Sequence, residues 1–218
     1  MPARKAKPLK RNPKSNMLTI KRMPLGTMAA NCYLLYDEEG RVIIIDPGDE
    51  AEFISRVILE KGLRPLKIIA THGHFDHLMA VAELKLVFGI PFMANKKDSF
   101  LILKMPERAR KYLGETALPL KIDSNIKAGE KIKLGKHVLE VIETPGHTPG
   151  SISLVERKER IAFVGDLIFK DGSIGRYDFG YSDKEGLKIS VAKILKLPEE
   201  TTIYPGHGEE FTVADFGT

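Results

Sequence analysis

Four residues that can bind a metal ion lie within six positions of this chain: His72, His74, Asp76 and His77. They follow an apolar stretch and precede a segment with helical periodicity. Residues two apart in an extended backbone point to the same side, so His72 and His74 can reach one ion together. The chain then turns into the helix, which directs Asp76 and His77 towards a neighbouring point. Two adjacent pairs of nitrogen and oxygen ligands predict a site for two metal ions.

Three further candidate ligands also follow predicted strands. His147 lies in the sequence TPGHTPG, whose prolines stiffen the loop and whose glycines permit close approach of the backbone. Asp166 comes after an apolar run, and His207 lies in PGHG after another predicted strand. A carboxylate such as that of Asp166 can bridge two ions. Because loops at the ends of strands gather at one edge of a sheet, we expect all seven side chains to meet there.

Each of these motifs is weak by itself. A single His-x-His pair is common on protein surfaces, and an aspartate after glycine is commonly a turn former. Their joint occurrence, in this order, favours a metal site over coincidence. The sixth histidine, His137, has no such surroundings and is predicted to be an ordinary strand or turn residue. Cys32 is predicted to be a small buried apolar residue; as the only cysteine, it excludes a disulfide framework and an iron–sulfur cluster.

The elements that must position these side chains are short β-branched runs and amphipathic helical segments. The predicted strands are 17–21, 32–36, 42–46, 67–70, 131–134, 138–142, 151–155, 161–164 and 202–204. Helices are predicted after Asp49, His77, Lys97 and Asp183, with Asp49, Asp98 and Asp183 as N-caps or first-turn acids. Strands precede helices early, and strands then run together before a last helix and strand. This order favours helices layered on sheets over a doubly wound parallel sheet alone.

Composition and charge limit the function classes. The chain has 218 residues, 43% of them hydrophobic, and no apolar run approaches the roughly 20 residues that span a bilayer. The basic amino terminus is not followed by an apolar stretch, so we expect a cytoplasmic protein with no membrane partner. The net charge of +5 arises in residues 1–36, which contain eight basic residues and no acidic one. A basic stripe confined to one end argues against a folded nucleic-acid-binding domain.

Two regions are predicted from this distribution. Residues 1–16 contain three prolines and a single large aliphatic side chain, so they are predicted to form a disordered basic tail. The alternatives for this tail are a weak contact with an anionic partner, a transit segment, or a solvated extension. Residues 17–218 show no linker or internal repeat and are predicted to form the catalytic domain.

The motifs THGHFDH, TPGHTPGS, GD and PGHG, in this order, resemble those of the metallo-β-lactamase-fold hydrolases, and within them the glyoxalase II (hydroxyacylglutathione hydrolase) group. The resemblance implies an α/β (α+β) fold, an αββα four-layer sandwich with a metal cleft at the edge of its two sheets. It also implies a role for each ligand: His72, His74 and His147 on metal one, Asp76, His77 and His207 on metal two, and Asp166 as the bridge. Asp46, in the sequence VIIIDPG, is implied to support these ligands from behind.

The chemistry expected of such a site is hydrolysis, most economically of a thioester. Two divalent ions lower the pKa of a shared water to near neutrality, which supplies a nucleophile at pH 7. A thiolate leaving group of pKa about 8.5 needs no strong general acid. Asp76 and Asp166 are the expected catalytic carboxylates. All seven ligands offer nitrogen or oxygen, so zinc is expected, while iron and manganese are also admissible.

The expected partner is a small-molecule thioester. Arg176 and Tyr177, in the sequence SIGRYD, are expected to contact it, with an ion pair between Arg176 and Asp178 as the alternative role of the arginine. Only 11 residues follow His207, so the helical domain that binds glutathione in larger glyoxalase II enzymes is not expected. An aspartate at position 166, where the main group of metallo-β-lactamases has cysteine, argues against antibiotic hydrolysis.

Two other functions remain open from the sequence. One is a persulfide dioxygenase that uses a single Fe(II), held by His72, His147 and Asp166, with open positions for O₂ and substrate. The other is an RNA-associated protein that binds through the basic tail. The sequence leaves the oligomeric state open.

Overall fold

The computed structural model describes residues 18–217, which form two six-stranded sheets. The strands of the first sheet follow chain order: β1 (Thr19–Leu25), β2 (Ala30–Tyr36), β3 (Arg41–Ile45), β4 (Arg64–Ile69), β5 (Phe92–Ala94) and β6 (Ser124–Asn125). The first three strands are antiparallel, and β3 to β6 are parallel. The predicted tail, residues 1–16, and Met17 lie outside the described residues.

The second sheet contains β7 (Lys131–Leu134), β8 (His137–Glu143), β9 (Ile152–Glu156), β10 (Ile161–Gly165), β11 (Thr202–Pro205) and β12 (Phe211–Thr212). Its spatial order is β12-β11-β10-β9-β8-β7, with β10 and β11 parallel and the other pairs antiparallel. The helices are α1 (Ala51–Glu60), α2 (Val81–Phe88), α3 (Ser99–Leu103), α4 (Met105–Leu113) and α5 (Lys184–Ile194).

Side-chain alternation in the strands builds three apolar layers. On β2, Cys32 and Leu34 pack towards α1 and α2, while Tyr33 and Leu35 pack between the two sheets. The third layer joins the outer face of the second sheet to α5 through Leu187 and its neighbours. Strands buried on both faces read as continuous apolar runs, as residues 42–45 of β3 do. The result is the αββα sandwich, which confirms the predicted fold class.

The structure confirms the predicted side-chain cap at Asp183 and differs from the prediction at Asp49 and Asp98. Asp183 caps α5, since its carboxylate accepts hydrogen bonds from the backbone N–H groups of Glu185 and Gly186. The N-cap of α1 is Glu50, in left-handed backbone, so the prediction of a cap at Asp49 is wrong. Asp98 precedes α3, but its carboxylate makes no cap bond and turns away from the helix.

Several short elements were not predicted. β5, β6 and β12 have three residues or fewer, too short for a periodic pattern to show. The helix expected after His77 begins at Val81, because residues 75–77 form a 3-10 turn. Cys32 is fully buried, as predicted, and His137 is a buried strand residue that pairs with Glu159. No helix among residues 18–217 is both long enough and apolar enough to cross a membrane.

Candidate metal centre

The seven predicted ligands come from four loops at one edge of the sandwich. Four of them follow β4, His147 lies between β8 and β9, Asp166 follows β10, and His207 follows β11. The two sheets are joined at this edge by backbone bonds, such as that from the Ile152 N–H to the Thr71 carbonyl at 2.8 Å. The loop of His207 is held across the sheets, because the Pro205 carbonyl accepts hydrogen bonds from the Asn31 amide and the Tyr33 hydroxyl.

The structure brings all seven side chains together in two groups. The possible ligand atoms of each group lie within 4.8 Å of one another: His72, His74, His147 and Asp166 in the first, and Asp76, His77 and His207 in the second. Asp166 lies between them: its Oδ2 is 3.6 Å from His147 Nε2 and 3.7 Å from His207 Nε2. Its Oδ1 is 3.5 Å from His77 Nε2. One carboxylate therefore faces both groups.

The orientation of four imidazoles is set by a contact to the nitrogen that faces away from the cluster. The contacts are Thr71 Oγ1 to His72 Nδ1 (3.1 Å), the Tyr181 hydroxyl to His74 Nε2 (2.8 Å), the Arg176 carbonyl to His147 Nδ1 (2.7 Å) and Asp46 Oδ2 to His77 Nδ1 (3.4 Å). Such contacts fix both the ring and its tautomer and direct the opposite nitrogen into the cluster, where His74 Nδ1 and His147 Nε2 lie 2.9 Å apart.

Buried polar atoms without a hydrogen-bond partner show that the cluster fits a cation. Among the described residues they include His72 Nε2, His77 Nε2 and Asp166 Oδ1, all directed into the cluster. Each unpaired buried polar atom costs about 1–3 kcal/mol. Divalent cations with nitrogen and oxygen ligands satisfy such atoms, so the His/Asp cluster is suited to bind divalent metal ions.

Electrostatics divides the cluster into neutral and charged ligands. Burial and the neighbouring His147 lower the pKa of His74 to about 3, so this imidazole is neutral at pH 7. The pKa of His77 is about 10: burial lowers it, but the carboxylates of Asp76 and Asp166 raise it by more. Burial raises the pKa of Asp76, yet His77 and His207 hold it well below its usual range. In the metal-free protein, the proton on His77 therefore offsets the negative charge of the neighbouring carboxylates, Asp76 and Asp166. In the metal-loaded protein, the bound cation offsets that charge.

The buried carboxylate of Asp46 supports the loop that carries His72 and His77. Asp46 accepts hydrogen bonds from the Thr71 N–H at 2.7 Å and the Thr71 hydroxyl at 2.6 Å, behind His72 and His77. This is the place that the sequence implied for Asp46.

Asp98, which the sequence argument did not select, joins the His72–His74 loop to the His147 loop. Its carboxylate accepts hydrogen bonds from the Gly73 N–H (2.8 Å), the Gly150 N–H (2.6 Å) and the Thr148 hydroxyl (2.6 Å). A Cβ at Gly73 would lie 2.8 Å from the Asp98 Cβ, and one at Gly150 would lie 2.6 Å from its Cγ. The glycines of both motifs are the signal that a close neighbour approaches there, but they do not say which residue it is.

The cluster opens into a pocket of about 990 Å³. We call one side of it the pocket wall: Arg108 and Tyr112 of α4 and Phe179 of the segment between β10 and α5 line the pocket, and Tyr181 packs behind Phe179. Phe179 and Tyr181 stack with ring centroids 5.2 Å apart, and Phe179 meets the His74 ring edge-on at 5.3 Å. The pocket therefore places apolar ring faces beside the imidazoles of the cluster.

The two expected substrate contacts, Arg176 and Tyr177, lie in different surroundings. Arg176 lines the pocket, but its guanidinium makes a bidentate ion pair with Asp178, at 2.8 and 3.0 Å, as in the alternative role. Tyr177 is not among the pocket-lining residues; it is 41% exposed, and its ring lies 5.1 Å from the Lys184 ammonium at the start of α5. A substrate contact through Tyr177 stays a prediction.

An αββα sandwich with a His/Asp cluster at its edge defines a metallo-hydrolase class of protein. In agreement, residues 25–207 match the family model of the metallo-beta-lactamase superfamily. The chain belongs to this superfamily.

One relative and two solved structures match nearly the whole chain. Hydroxyacylglutathione hydrolase GloC of Haemophilus influenzae is 38% identical over 204 residues, covering 90% of this chain and 93% of that protein. The structure of TTHA1623 in a di-iron-bound form has a TM-score of 0.81 and 35% identity, covering 89% of this chain and 95% of that one. The structure of BLEG-1, described as a B3 metallo-beta-lactamase, has a TM-score of 0.83 and 35% identity, covering 90% of this chain and 95% of that one.

Proposed function

We propose that this protein hydrolyses thioesters at a centre of two divalent metal ions. The observation that carries the proposal is the position of Asp166, whose two carboxylate oxygens face ligand nitrogens of both groups. A bridging carboxylate between two sets of ligands is the arrangement that a two-metal site requires. The similarity to hydroxyacylglutathione hydrolase GloC supports the thioester as the substrate class.

In this proposal the seven ligands divide between two ions. Metal one would be held by His72 Nε2, His74 Nδ1 and His147 Nε2, the nitrogens opposite the outer contacts described above. Metal two would be held by Asp76, His77 and His207, and Asp166 would serve both ions. When bound, the ions supply Lewis acidity and a water of near-neutral pKa. Zinc is the proposed metal; the di-iron-bound form of TTHA1623 supports iron as the alternative.

The chain's own groups have distinct roles. Asp76 stays ionised at neutral pH because of His77 and His207, so its carboxylate can accept a hydrogen bond from the attacking water and orient it. Asp166 fixes the separation of the two ligand groups. The thiol product leaves as a thiolate, since a thiol pKa of about 8.5 makes protonation by a strong acid unnecessary. Ring faces such as that of Phe179 exclude water from one side of the pocket.

The experiment measures metal content and reaction class together. Purified protein is assayed by elemental analysis, then for thiol release from S-D-lactoylglutathione with and without O₂. We expect about two metal ions per chain and turnover that is independent of O₂. His74→Ala should abolish turnover, while the matched variant His137→Ala, which removes a buried histidine outside the cluster, should retain it.

Three results would each overturn the proposal. One is O₂ consumption with glutathione persulfide and no thioester hydrolysis, which identifies the dioxygenase alternative. Another is hydrolysis of a β-lactam such as nitrocefin without thioester hydrolysis, an outcome that the similarity to BLEG-1 makes worth measuring. The third is full thioester turnover by His74→Ala.

A further inference from the structure

Three cationic side chains line the pocket, and two of them are neutralised by a neighbouring carboxylate. The Lys170 ammonium lies 2.7 Å from Glu209 Oε2. The Arg176 guanidinium is paired with Asp178, as described above. A charge already paired within the protein has little to offer a substrate, because an incoming anion must first displace the internal partner.

The third cation, Arg108, has no such partner. Among residues 18–217, no carboxylate oxygen lies within 4.0 Å of its guanidinium nitrogens. Arg108 is partly buried, on the side of α4 that faces the pocket. A guanidinium that is partly removed from water and lacks an anion is poised to bind one, and its fork of N–H donors matches a carboxylate.

The position of Arg108 relative to the metal cluster is also defined. Its guanidinium carbon lies 5.9 Å from the centroid of the Tyr181 ring, and the Tyr181 hydroxyl bonds to His74 Nε2 at 2.8 Å. One aromatic ring therefore separates the guanidinium from a ligand of metal one. Burial raises the pKa of Tyr181, and the charge of Arg108 together with a hydrogen bond from Arg108 to the Tyr181 hydroxyl lowers it. That bond leaves the other N–H donors of the five in the guanidinium available for an anion.

We infer that Arg108 recognises a carboxylate on the thiol portion or the acyl portion of the substrate, so that the preferred substrates are anionic thioesters. The inference rests on the proposed function and adds the specificity residue. It assigns to α4 a contact that the sequence had led us to expect of Arg176.

The test compares a charged substrate with a neutral one. S-D-lactoylglutathione carries two carboxylates, and its diethyl ester carries none. Arg108→Ala should lower kcat/KM for the charged substrate by about 10- to 100-fold, mainly through KM, because one charge-assisted hydrogen-bond pair is lost. The value for the diethyl ester should change by less than about threefold, since that substrate makes no such pair. Arg108→Lys should recover part of the loss, because it restores the charge but not the fork.

The matched control is Arg110→Ala, on the same helix two residues away, where the side chain is exposed and does not line the pocket. It should leave both substrates unaffected. A second measurement does not depend on turnover: the Kd of S-hexylglutathione and of its diethyl ester, by calorimetry. Arg108→Ala should weaken binding of the charged thioether only, with unchanged metal content.

The outcomes separate this inference from the proposed function. If the wild-type protein hydrolyses neither thioester, the proposed function fails, and the Kd comparison still decides the role of Arg108. If the wild type hydrolyses both and Arg108→Ala lowers both equally, Arg108 only supports the pocket wall and the inference is wrong. No change with either substrate also overturns it.

Discussion

The metal cluster and the pocket wall are neighbouring regions built in different ways. The cluster lies at the ends of β4, β8, β10 and β11 and is nearly all buried, with His72, His77 and His147 under 5% exposed. The wall comes from α4 and from the segment before α5, and Tyr112 in it is 60% exposed. The cluster is held by short hydrogen bonds to buried carboxylates, whereas the wall is held by ring contacts.

Because of this difference, we expect the cluster to determine the reaction and the pocket wall to determine which substrate is accepted. Ligands on a rigid sheet edge stay at the separation that the metals need, because moving one requires breaking several buried hydrogen bonds. The wall contacts the cluster through one hydrogen bond, between His74 Nε2 and the Tyr181 hydroxyl, and through ring contacts such as those of Phe179. Changes in the wall should therefore alter which substrate is accepted before they alter the reaction, and four predictions test this.

The largest effect is expected within the cluster. Asp166→Ala removes the carboxylate that faces both ligand groups, so kcat should fall by about 1000-fold or more while the protein stays folded. Turnover, elemental analysis and circular dichroism measure the three quantities. Unchanged turnover by this variant would contradict the account of the cluster.

Removal of the metal should reduce stability and reveal a pH optimum. Saturating metal at about 1000 times its Kd adds about 4 kcal/mol to the free energy of unfolding. In the metal-free protein, the stabilisation from His77 is complete below its ordinary pKa of 6.5 and is lost as the pH rises through about 10. His74 stays neutral in the folded protein down to its pKa of about 3, whereas the unfolded chain takes up this proton near pH 6.5. The free energy of unfolding therefore falls as the pH drops from 6.5 towards 3.

The metal-free protein should thus be most stable near pH 6.5, as measured by urea unfolding after chelation. The metal-loaded protein serves as the control. It should show no loss between pH 7 and 9, because the cation takes the place of the proton on His77. A metal-free protein whose stability rises across that range would refute the charge assignment in the cluster.

A smaller effect is expected behind the cluster. The Asp98 carboxylate accepts three hydrogen bonds, and in Asp98→Asn the amide must turn its NH₂ group towards one of those donors. We expect the free energy of unfolding to fall by about 2–3 kcal/mol. Metal affinity should fall by about 10- to 100-fold, because two ligand loops lose their common anchor.

The matched control for Asp98 is Asp37→Asn. Asp37 is also buried and accepts hydrogen bonds from the Glu39 N–H and from the backbone and side chain of Arg41, in the β2–β3 turn. Its variant should lose similar stability with metal affinity unchanged. Equal loss of affinity in both variants, measured by competition with a chelator, would mean that Asp98 acts only through global stability.

The smallest effect is expected where the two regions meet. Tyr181→Phe removes the hydroxyl bonded to His74 and keeps the ring stack, so metal affinity should fall by roughly tenfold or less, about 1 kcal/mol. Phe179→Leu leaves that bond intact and should change KM with little change in metal content. If Phe179→Leu also loses metal, the cluster and the wall are not separable.

The cluster could be predicted from the sequence because the relevant information is local. Histidines and aspartates that closely follow apolar runs, four of them within six positions, indicate both the ligand and the strand end that carries it. Asp98, Arg108 and Tyr181 carry no such local mark, since each lies in or beside a helix or loop of ordinary composition. Their importance depends on which distant loop they meet, as Asp98 meets Gly73 and Gly150. The order of the elements predicted helices layered on sheets, and the family resemblance implied the αββα sandwich, whereas strands of two residues, such as β6 and β12, were not predicted.

The Pro205 carbonyl has a consequence for the order in which the molecule matures during synthesis. It accepts hydrogen bonds from Asn31 and Tyr33, residues 174 and 172 positions earlier in the chain. His207 can reach its place only after β11 has been made and the carboxyl-terminal sheet has closed onto the amino-terminal one. A nascent chain that has been made only as far as β10 and Asp166 therefore carries six of the seven ligands without a finished cluster.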